Sequence, residues 1–186
     1  LKIVDYFTWE KMFGNNKRAE SRRLDVPVVI MAGGSGTRLA PFTKILPKPL
    51  IPVGEKPVID HIIERFRNCG INKFYLTIHH KSKIIRAYFE EKEPDYLIEF
   101  AEEDKPWGTA GSLNLLKEKL DKPFFVSNCD IIVEADYSDL YKFHTRIGYD
   151  ITLFASANQF NIPYGICELN GKGSLGLIQE KPDYNF

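Results

Sequence analysis

No stretch of this 186-residue chain is apolar for anything like the ~20 residues that a bilayer-spanning helix needs, so no candidate for such a helix exists. Net charge is missing too. Lys plus Arg number 25, and Asp plus Glu number 25. That balance does not point to a nucleic acid or a membrane surface as a partner. Cysteine is scarce. The three present, Cys69, Cys129 and Cys167, are an odd number with no metal-type spacing. They favour reduced thiols in a cytoplasm over a disulfide framework. No signal-peptide pattern, internal repeat or low-complexity segment is visible. What remains is a hydrophobic content of 44%, ordinary for a globular domain, on a length sufficient for one domain with a core.

The most informative stretch runs from Val28 to Leu50. It opens on the apolar, β-branched run Val28-Val29-Ile30, which predicts a buried strand. Ala32, Gly33, Gly34, Ser35, Gly36 and Thr37 follow, with three glycines in four residues. Glycine accepts φ > 0 and lets a ligand approach the backbone closely. Successive N–H groups in such a loop make a concave anion site. Arg38 adds a planar fork suited to phosphate. Lys48 lies between Pro47 and Pro49, which restrict the backbone on both sides of it. It reads as a pre-set cation aimed back at the same phosphates. Other phosphate loops fail on pattern. No Gly-x4-Gly-Lys-Ser/Thr run exists, which removes a Walker A loop. A dinucleotide fingerprint needs a third glycine where Leu39 stands. The loop of molybdopterin-type nucleotidyltransferases shares the paired glycines and the arginine, but lacks the Pro-Lys-Pro that follows here.

The run Gly33-Gly34-Ser35-Gly36-Thr37-Arg38-Leu39, followed by Pro41, Thr43 and Pro47-Lys48-Pro49-Leu50, resembles the signature of the sugar-1-phosphate nucleotidyltransferases. The resemblance covers about Val26 to the last residue. It is strongest toward the guanylyltransferase-like members, those called mannose-1-phosphate guanylyltransferases. It implies a Rossmann-like α/β domain over residues 26–186 that joins an NTP, here GTP, to a sugar 1-phosphate and releases pyrophosphate. It also implies Mg²⁺ and a homo-oligomer, with no nucleic-acid or membrane partner.

The pattern along the chain agrees with an α/β fold. Val58, Ile59, Ile62, Ile63 and Phe66 recur at helical spacing after Pro57 and stop at Cys69-Gly70. Phe74–His79 reads as a second strand, Ile84 to Phe89 as a second helix, and Tyr96–Phe100 as a third strand. Pro123–Asp130 reads as a buried strand ending in a carboxylate, and Asp139–Gly148 as a helix. Ile151–Ala155, Tyr164–Leu169 and Leu175–Gln179 read as further strands, with a turn at Gly171-Lys172-Gly173. Alternating strands and helices predict a mostly parallel sheet with helices on both faces, and ligands beyond the carboxyl ends of its strands. His79 and His80 are adjacent on a strand, so they point to opposite faces and are poor joint ligands for one metal ion.

Residues 1–25 stand apart. Tyr6, Phe7, Trp9, Met12 and Phe13 form an aromatic cluster, with a polar, basic run from Asn15 to Arg23 behind it. An arm packed on the domain or a neighbour is expected there, or the end of a preceding regulatory domain. The chain starts at Leu1 and stops at Phe186, just past Glu180-Lys181-Pro182, as a fragment would.

Further site residues follow from the resemblance. Pro106-Trp107-Gly108-Thr109-Ala110-Gly111 is similar to the family segment that borders base and sugar. A helix from about Thr109 to Leu120 would turn its N-terminal amides toward the nucleotide. Glu103 stands where uridine- and thymidine-using relatives commonly carry Gln. Guanine offers N1–H and N2–H₂ side by side, and a carboxylate accepts both. Asp130 is implied to hold Mg²⁺, Glu180 to contact the sugar, and Lys181 to serve the sugar phosphate. The nucleotide cradle is implied to comprise Ala32, Gly33, Gly34, Gly36 and Thr37, with Gly108 and Thr109 across from it. A second metal-binding Asp and more sugar contacts are expected past Phe186. Cys129 reads as a small packing residue, because the chemistry needs no covalent intermediate. Two rivals stand beside guanylyl transfer: thymidylyl or uridylyl transfer to a hexose 1-phosphate, and a nucleotide-sugar-binding regulatory module without turnover.

Overall fold

A computed structural model describes residues 23–155, 159–171 and 173–185. The aromatic cluster from Tyr6 to Phe13, nearly all of the basic run after it, and Lys172 in the expected turn lie outside the described residues. The described residues divide into two compact units, one up to Arg146 and one from Ile147 on.

The first unit is built on β1 (Val28–Met31). A short hairpin follows, β2 (Pro52–Val53) with β3 (Lys56–Pro57), then β4 (Lys73–Ile78), β5 (Leu97–Glu102) and β6 (Phe125–Asn128). The helices are α1 (Phe42–Ile45), α2 (Val58–Arg67), α3 (Ser82–Lys92) and α4 (Tyr137–Ile147). The central sheet runs in the order β5-β4-β1-β6, and each adjacent pair is parallel. In register, Val28 faces Phe74 on one side and Phe125 on the other.

Side chains alternate across a strand, so β1 feeds two cores. Val28 and Ile30 enter the larger core, with Phe74, Leu76 and Ile78 of β4. Ile59, Ile62, Ile63 and Phe66 of α2 close over them, joined by Ile85 and Phe89 of α3 and by Tyr137 and Leu140 of α4. Each such buried aliphatic or aromatic side chain contributes roughly 1.5–3 kcal/mol. Val29 points the other way, to Tyr75, Ala101 and Leu116. That face is covered by a 3₁₀ segment, Gly111–Leu116. Leu24 is buried in the larger core, and its N–H donates to the Cys69 carbonyl at 3.0 Å, so packing begins before Val26.

Three expectations need correction. The helix foreseen over Thr109–Leu120 is the six-residue 3₁₀ segment, which offers no α-helical N-terminus. Gly108 has φ 80°, and the hydroxyl of buried Ser112 bonds Thr77 Oγ1 at 3.3 Å. Two glycines in four residues weaken a helix start. The strand ending at Asp130 is less buried than its composition suggests. β6 is an edge of the sheet among the described residues, Val126 is 42% exposed, and Asp130 lies two residues beyond the strand. Ile151–Ala155 forms no strand, and Ile151, Leu153 and Phe154 are exposed. The strand reading rests on a buried apolar face, and these exposed side chains do not supply one.

The second unit, described by itself, holds two antiparallel pairs. β7 (Gln159–Asn161) pairs with β10 (Asp183–Asn185), and β8 (Ile166–Leu169) with β9 (Leu175–Gln179). The β8–β9 turn is closed by Asn170, whose side-chain oxygen accepts from the Ser174 N–H at 3.0 Å. Among the described residues no helix is long and apolar enough to cross a membrane.

Candidate functional site

Parallel strands bring their following loops to one end of the sheet. Residues 32–36 after β1, 79–81 after β4, 103–108 after β5 and 129–130 after β6 therefore gather together. Most of the site residues expected from the sequence stand in these four loops or in the segments that follow them.

Gly36 shows why glycine is needed in the first loop. It takes φ 65°, ψ 32°, in the left-handed region that residues with a Cβ avoid. A Cβ placed there would lie 2.8 Å from Thr43 Cγ2 and 3.2 Å from Lys48 Cβ. We expect Gly36→Ala to destabilise the fold by about 1–3 kcal/mol, read as a lower midpoint in urea unfolding. An unchanged midpoint would show that the turn relaxes freely.

Gly33 meets a different neighbour. A Cβ there would lie 2.5 Å from Glu103 Oε1. Glu103, only 7% exposed, is thus pressed against the glycine loop. Its backbone N–H donates to the Ile78 carbonyl at 2.8 Å, and its carbonyl accepts from His79 Nδ1 at 2.9 Å. Its Oε2 accepts from the Trp107 N–H at 3.3 Å. Trp107 is in turn tied by its Nε1–H to Asp104 Oδ1 at 2.7 Å. A carboxylate carries about four acceptor positions, so Glu103 can take further donors beside the loop.

Lys48 opens a 3₁₀ turn, Lys48–Leu50, whose Pro49 and Leu50 are buried. The flanking prolines hold the backbone, and the side chain reaches across to Asp130. Lys48 Nζ stands 2.5 Å from Asp130 Oδ2, with the two side chains 19% and 34% exposed. Sequence reasoning aimed both groups at phosphates and metal; the structure adds that they face each other. Arg38 sits in the 3₁₀ turn Thr37–Leu39, exposed, and makes no ion pair among the described residues. Gly34, Thr37, Gly108 and Thr109 are exposed as well, and Ala32 is buried at the end of β1. Glu180 and Lys181 belong to the second unit. There Glu180 Oε2 lies 2.9 Å from where a Cβ on Gly165 would be, and Lys181 takes φ 45°.

Among the described residues no three His, Cys, Asp or Glu side chains converge as a metal cage. Asp130 offers one accessible carboxylate. Mg²⁺ is commonly held by one or two carboxylates together with substrate phosphates and waters, and the donor set fits that mode. Cys129, next in chain, is buried. Burial, with the Asp130 carboxylate second, pushes its thiol up to about 11. It stays protonated near neutral pH and fills space, as expected.

Sequence reasoning missed Thr43 and Lys81. Thr43, in α1, is 6% exposed, and its Oγ1 donates to the Gly36 carbonyl at 3.0 Å. Lys81 Nζ donates to the Thr43 carbonyl at 2.8 Å. Both line a cavity of ≈ 460 Å³ with Ser35, Thr37, Ala40, Lys44 and His80. Thr43 was visible in the signature motif, but nothing in the sequence linked it to Lys81.

Known proteins resemble this chain over most of its length. The Nucleotidyl transferase family model matches residues 27–185. A mannose-1-phosphate guanyltransferase of Pichia angusta is 38% identical over 143 residues, covering 74% of this chain and 39% of the relative. One from Schizosaccharomyces pombe is 36% identical over 162 residues, covering 83% and 44%. The chain thus spans about two fifths of the length of the curated relatives it matches. Among solved structures, HddC from Yersinia pseudotuberculosis complexed with GMP-PN aligns with TM-score 0.61 at 24% identity, over 86% of this chain and 72% of that one. A putative glucose-1-phosphate thymidylyltransferase from Bacillus anthracis aligns with TM-score 0.58 at 23% identity, over 84% and 65%. At such identities these two likenesses speak for the fold alone, the expected α/β nucleotidyltransferase fold. The motif and the central sheet both fall within the residues that the family model matches: the chain belongs to the nucleotidyl transferase family.

Proposed function

We propose that this chain carries the catalytic site of a sugar-1-phosphate guanylyltransferase, which moves GMP from GTP to a sugar 1-phosphate and releases pyrophosphate. The observation that carries the reading is the Lys48–Asp130 pair, 2.5 Å apart where the Lys48–Leu50 turn meets the loop after β6. A cation and a carboxylate held together beside a glycine loop suit a reaction between two polyanions. Relatives named mannose-1-phosphate guanyltransferase support mannose 1-phosphate as the acceptor.

The nucleophile, a sugar-phosphate oxygen, is already anionic, so no strong general base is required. Catalysis is then positioning and charge neutralisation. The amides from Gly33 to Thr37, with Arg38, hold the β- and γ-phosphates. Lys48 neutralises charge at the α-phosphorus, where the in-line displacement occurs. Lys181 serves the sugar phosphate and Glu180 the sugar. Gly108 and Thr109 border base and sugar. Asp130 would hold Mg²⁺, which when bound screens phosphate charge.

Glu103 accepts the paired donors of guanine in this reading. We expect Glu103→Gln to lower kcat/KM for GTP by about tenfold and to narrow the gap to UTP and dTTP, because one of two acceptors becomes a donor. A panel of GTP, UTP and dTTP with pyrophosphate detection measures it. Wild-type preference for UTP or dTTP would remove the role assigned to Glu103 and favour thymidylyl or uridylyl transfer. Nucleotide-sugar binding without pyrophosphate release would favour a regulatory module.

A further inference from the structure

The end of β4 is connected to both ends of the glycine cradle. At one end, the His80 N–H donates to the Gly33 carbonyl at 3.4 Å. At the other, Lys81 Nζ donates to the Thr43 carbonyl at 2.8 Å, and Thr43 Oγ1 donates to the Gly36 carbonyl at 3.0 Å. The Gly36 carbonyl also accepts from the Leu39 N–H at 2.9 Å, which closes the 3₁₀ turn after the cradle. The Thr43 methyl occupies the space that a Cβ on Gly36 would need.

These bonds bear on what the cradle presents. A trans peptide is planar, with its C=O and N–H pointing in opposite directions. Fixing the Gly33 carbonyl therefore fixes the direction of the Gly34 N–H. Fixing the Gly36 carbonyl fixes that of the Thr37 N–H. Glycines are the residues least able to hold such directions by themselves. Something outside the loop has to supply the constraint. Lys81 is well placed to do so. It takes φ 58°, a left-handed conformation unusual for a residue with a long side chain, directly between β4 and α3. Non-glycine residues held in such a conformation are found where the surroundings over-determine them. Here the side chain spans 38 positions in sequence to reach the α1 backbone.

We infer that Lys81 and Thr43 are positioning residues that hold the Thr37 amide, and with it the anion-binding face of the cradle, in its binding direction. The inference rests on the proposal that the cradle holds the nucleotide's phosphates. Neither side chain needs to touch the nucleotide. Lys81 acts through Thr43, and Thr43 acts through the Gly36–Thr37 peptide.

The test uses Lys81→Met, which keeps the stem and removes the donor, and Thr43→Val, which keeps the shape and removes the hydroxyl. Lys81→Arg and Thr43→Ser restore a donor at each position. Both donor-less variants are expected to raise KM for Mg·GTP by about tenfold, the effect of one lost hydrogen bond to a charged or buried partner. KM for the sugar 1-phosphate should stay within about twofold. The two conservative variants should recover most of the loss. A second reading avoids turnover altogether: in ¹H–¹⁵N spectra of the free chain, the Thr37 amide peak should move in Thr43→Val and stay in Thr43→Ser. A wild-type KM for GTP in both donor-less variants, or an equal rise for both substrates, overturns the inference. So does a stationary Thr37 peak. If the wild-type chain neither binds nor uses GTP while the Thr37 peak still moves, the mechanical link stands and the functional reading falls.

Discussion

Lys48→Ala is expected to lower the turnover of the proposed nucleotidyl transfer by about 10²–10³, the loss seen when one preorganised charge partner is taken from a reacting centre. The expectation comes from where the side chain is held. Pro47 and Pro49 fix the backbone, Pro49 and Leu50 are buried, and the ammonium is only part-exposed at 2.5 Å from Asp130. A cation so anchored loses little entropy when phosphates arrive. Removing it also leaves Asp130 unpaired, and that carboxylate then repels the incoming polyphosphate. Stability should hardly change. Both side chains see solvent, and ion pairs of that kind are worth about 1 kcal/mol or less. Pyrophosphate release and a thermal melt on the same sample separate the two effects. Near-normal turnover would refute the assignment, and a collapsed melt would show a structural role instead.

Asp130→Ala should cost turnover on the same scale, about 10²–10³, for a different reason. In the proposed mechanism it removes the carboxylate that would hold Mg²⁺ beside the nucleotide. The two variants part company when metal is withheld. Without Mg²⁺, Asp130 competes with phosphate for Lys48. Lys48→Ala should then weaken GTP binding, whereas Asp130→Ala should leave it unchanged or tighten it. Titration calorimetry in EDTA reads the sign directly. Weakening by both variants to the same extent would mean that the pair acts as one structural unit, and that Asp130 does not compete with phosphate for the ammonium.

Much of this could be read from the chain before its fold was seen, and the reasons differ by residue. β1 announces itself as a continuous β-branched run and α2 by helical spacing, over segments that end up fully buried, from Val28 and Ile30 to Ile59 and Phe66. The cradle was readable because glycine at Gly33 and Gly36 answers a steric demand, now visible as contacts of 2.5 and 2.8 Å to a Cβ that is not there. Asp60 was not readable. In the first turn of α2 it resembles a solvated acid, yet it is 6% exposed, with Oδ2 held by Tyr88 Oη and Lys92 Nζ at 2.6 Å each. Those partners come from α3 and exist only after the helices pack. Desolvation and this carboxylate push the Tyr88 hydroxyl well above its ordinary range. The Lys81–Thr43 link was hidden for the same reason, since spacing within one segment says nothing of a bond between two. The burial of Ser112 in the 3₁₀ segment Gly111–Leu116, with its bond to Thr77, was hidden as well, because composition alone does not reveal it.

A crystal structure of the chain with GTP and Mg²⁺ bears most directly on whether this loop exists to hold a triphosphate. The phosphate oxygens should lie about 3 Å from the Gly34 and Thr37 amides, with Arg38 and Lys48 turned onto them and the guanine edge on Glu103. Nucleotide bound elsewhere while the glycine loop stays closed on Glu103, or Lys48 still locked to Asp130 with phosphates beyond its reach, would contradict it.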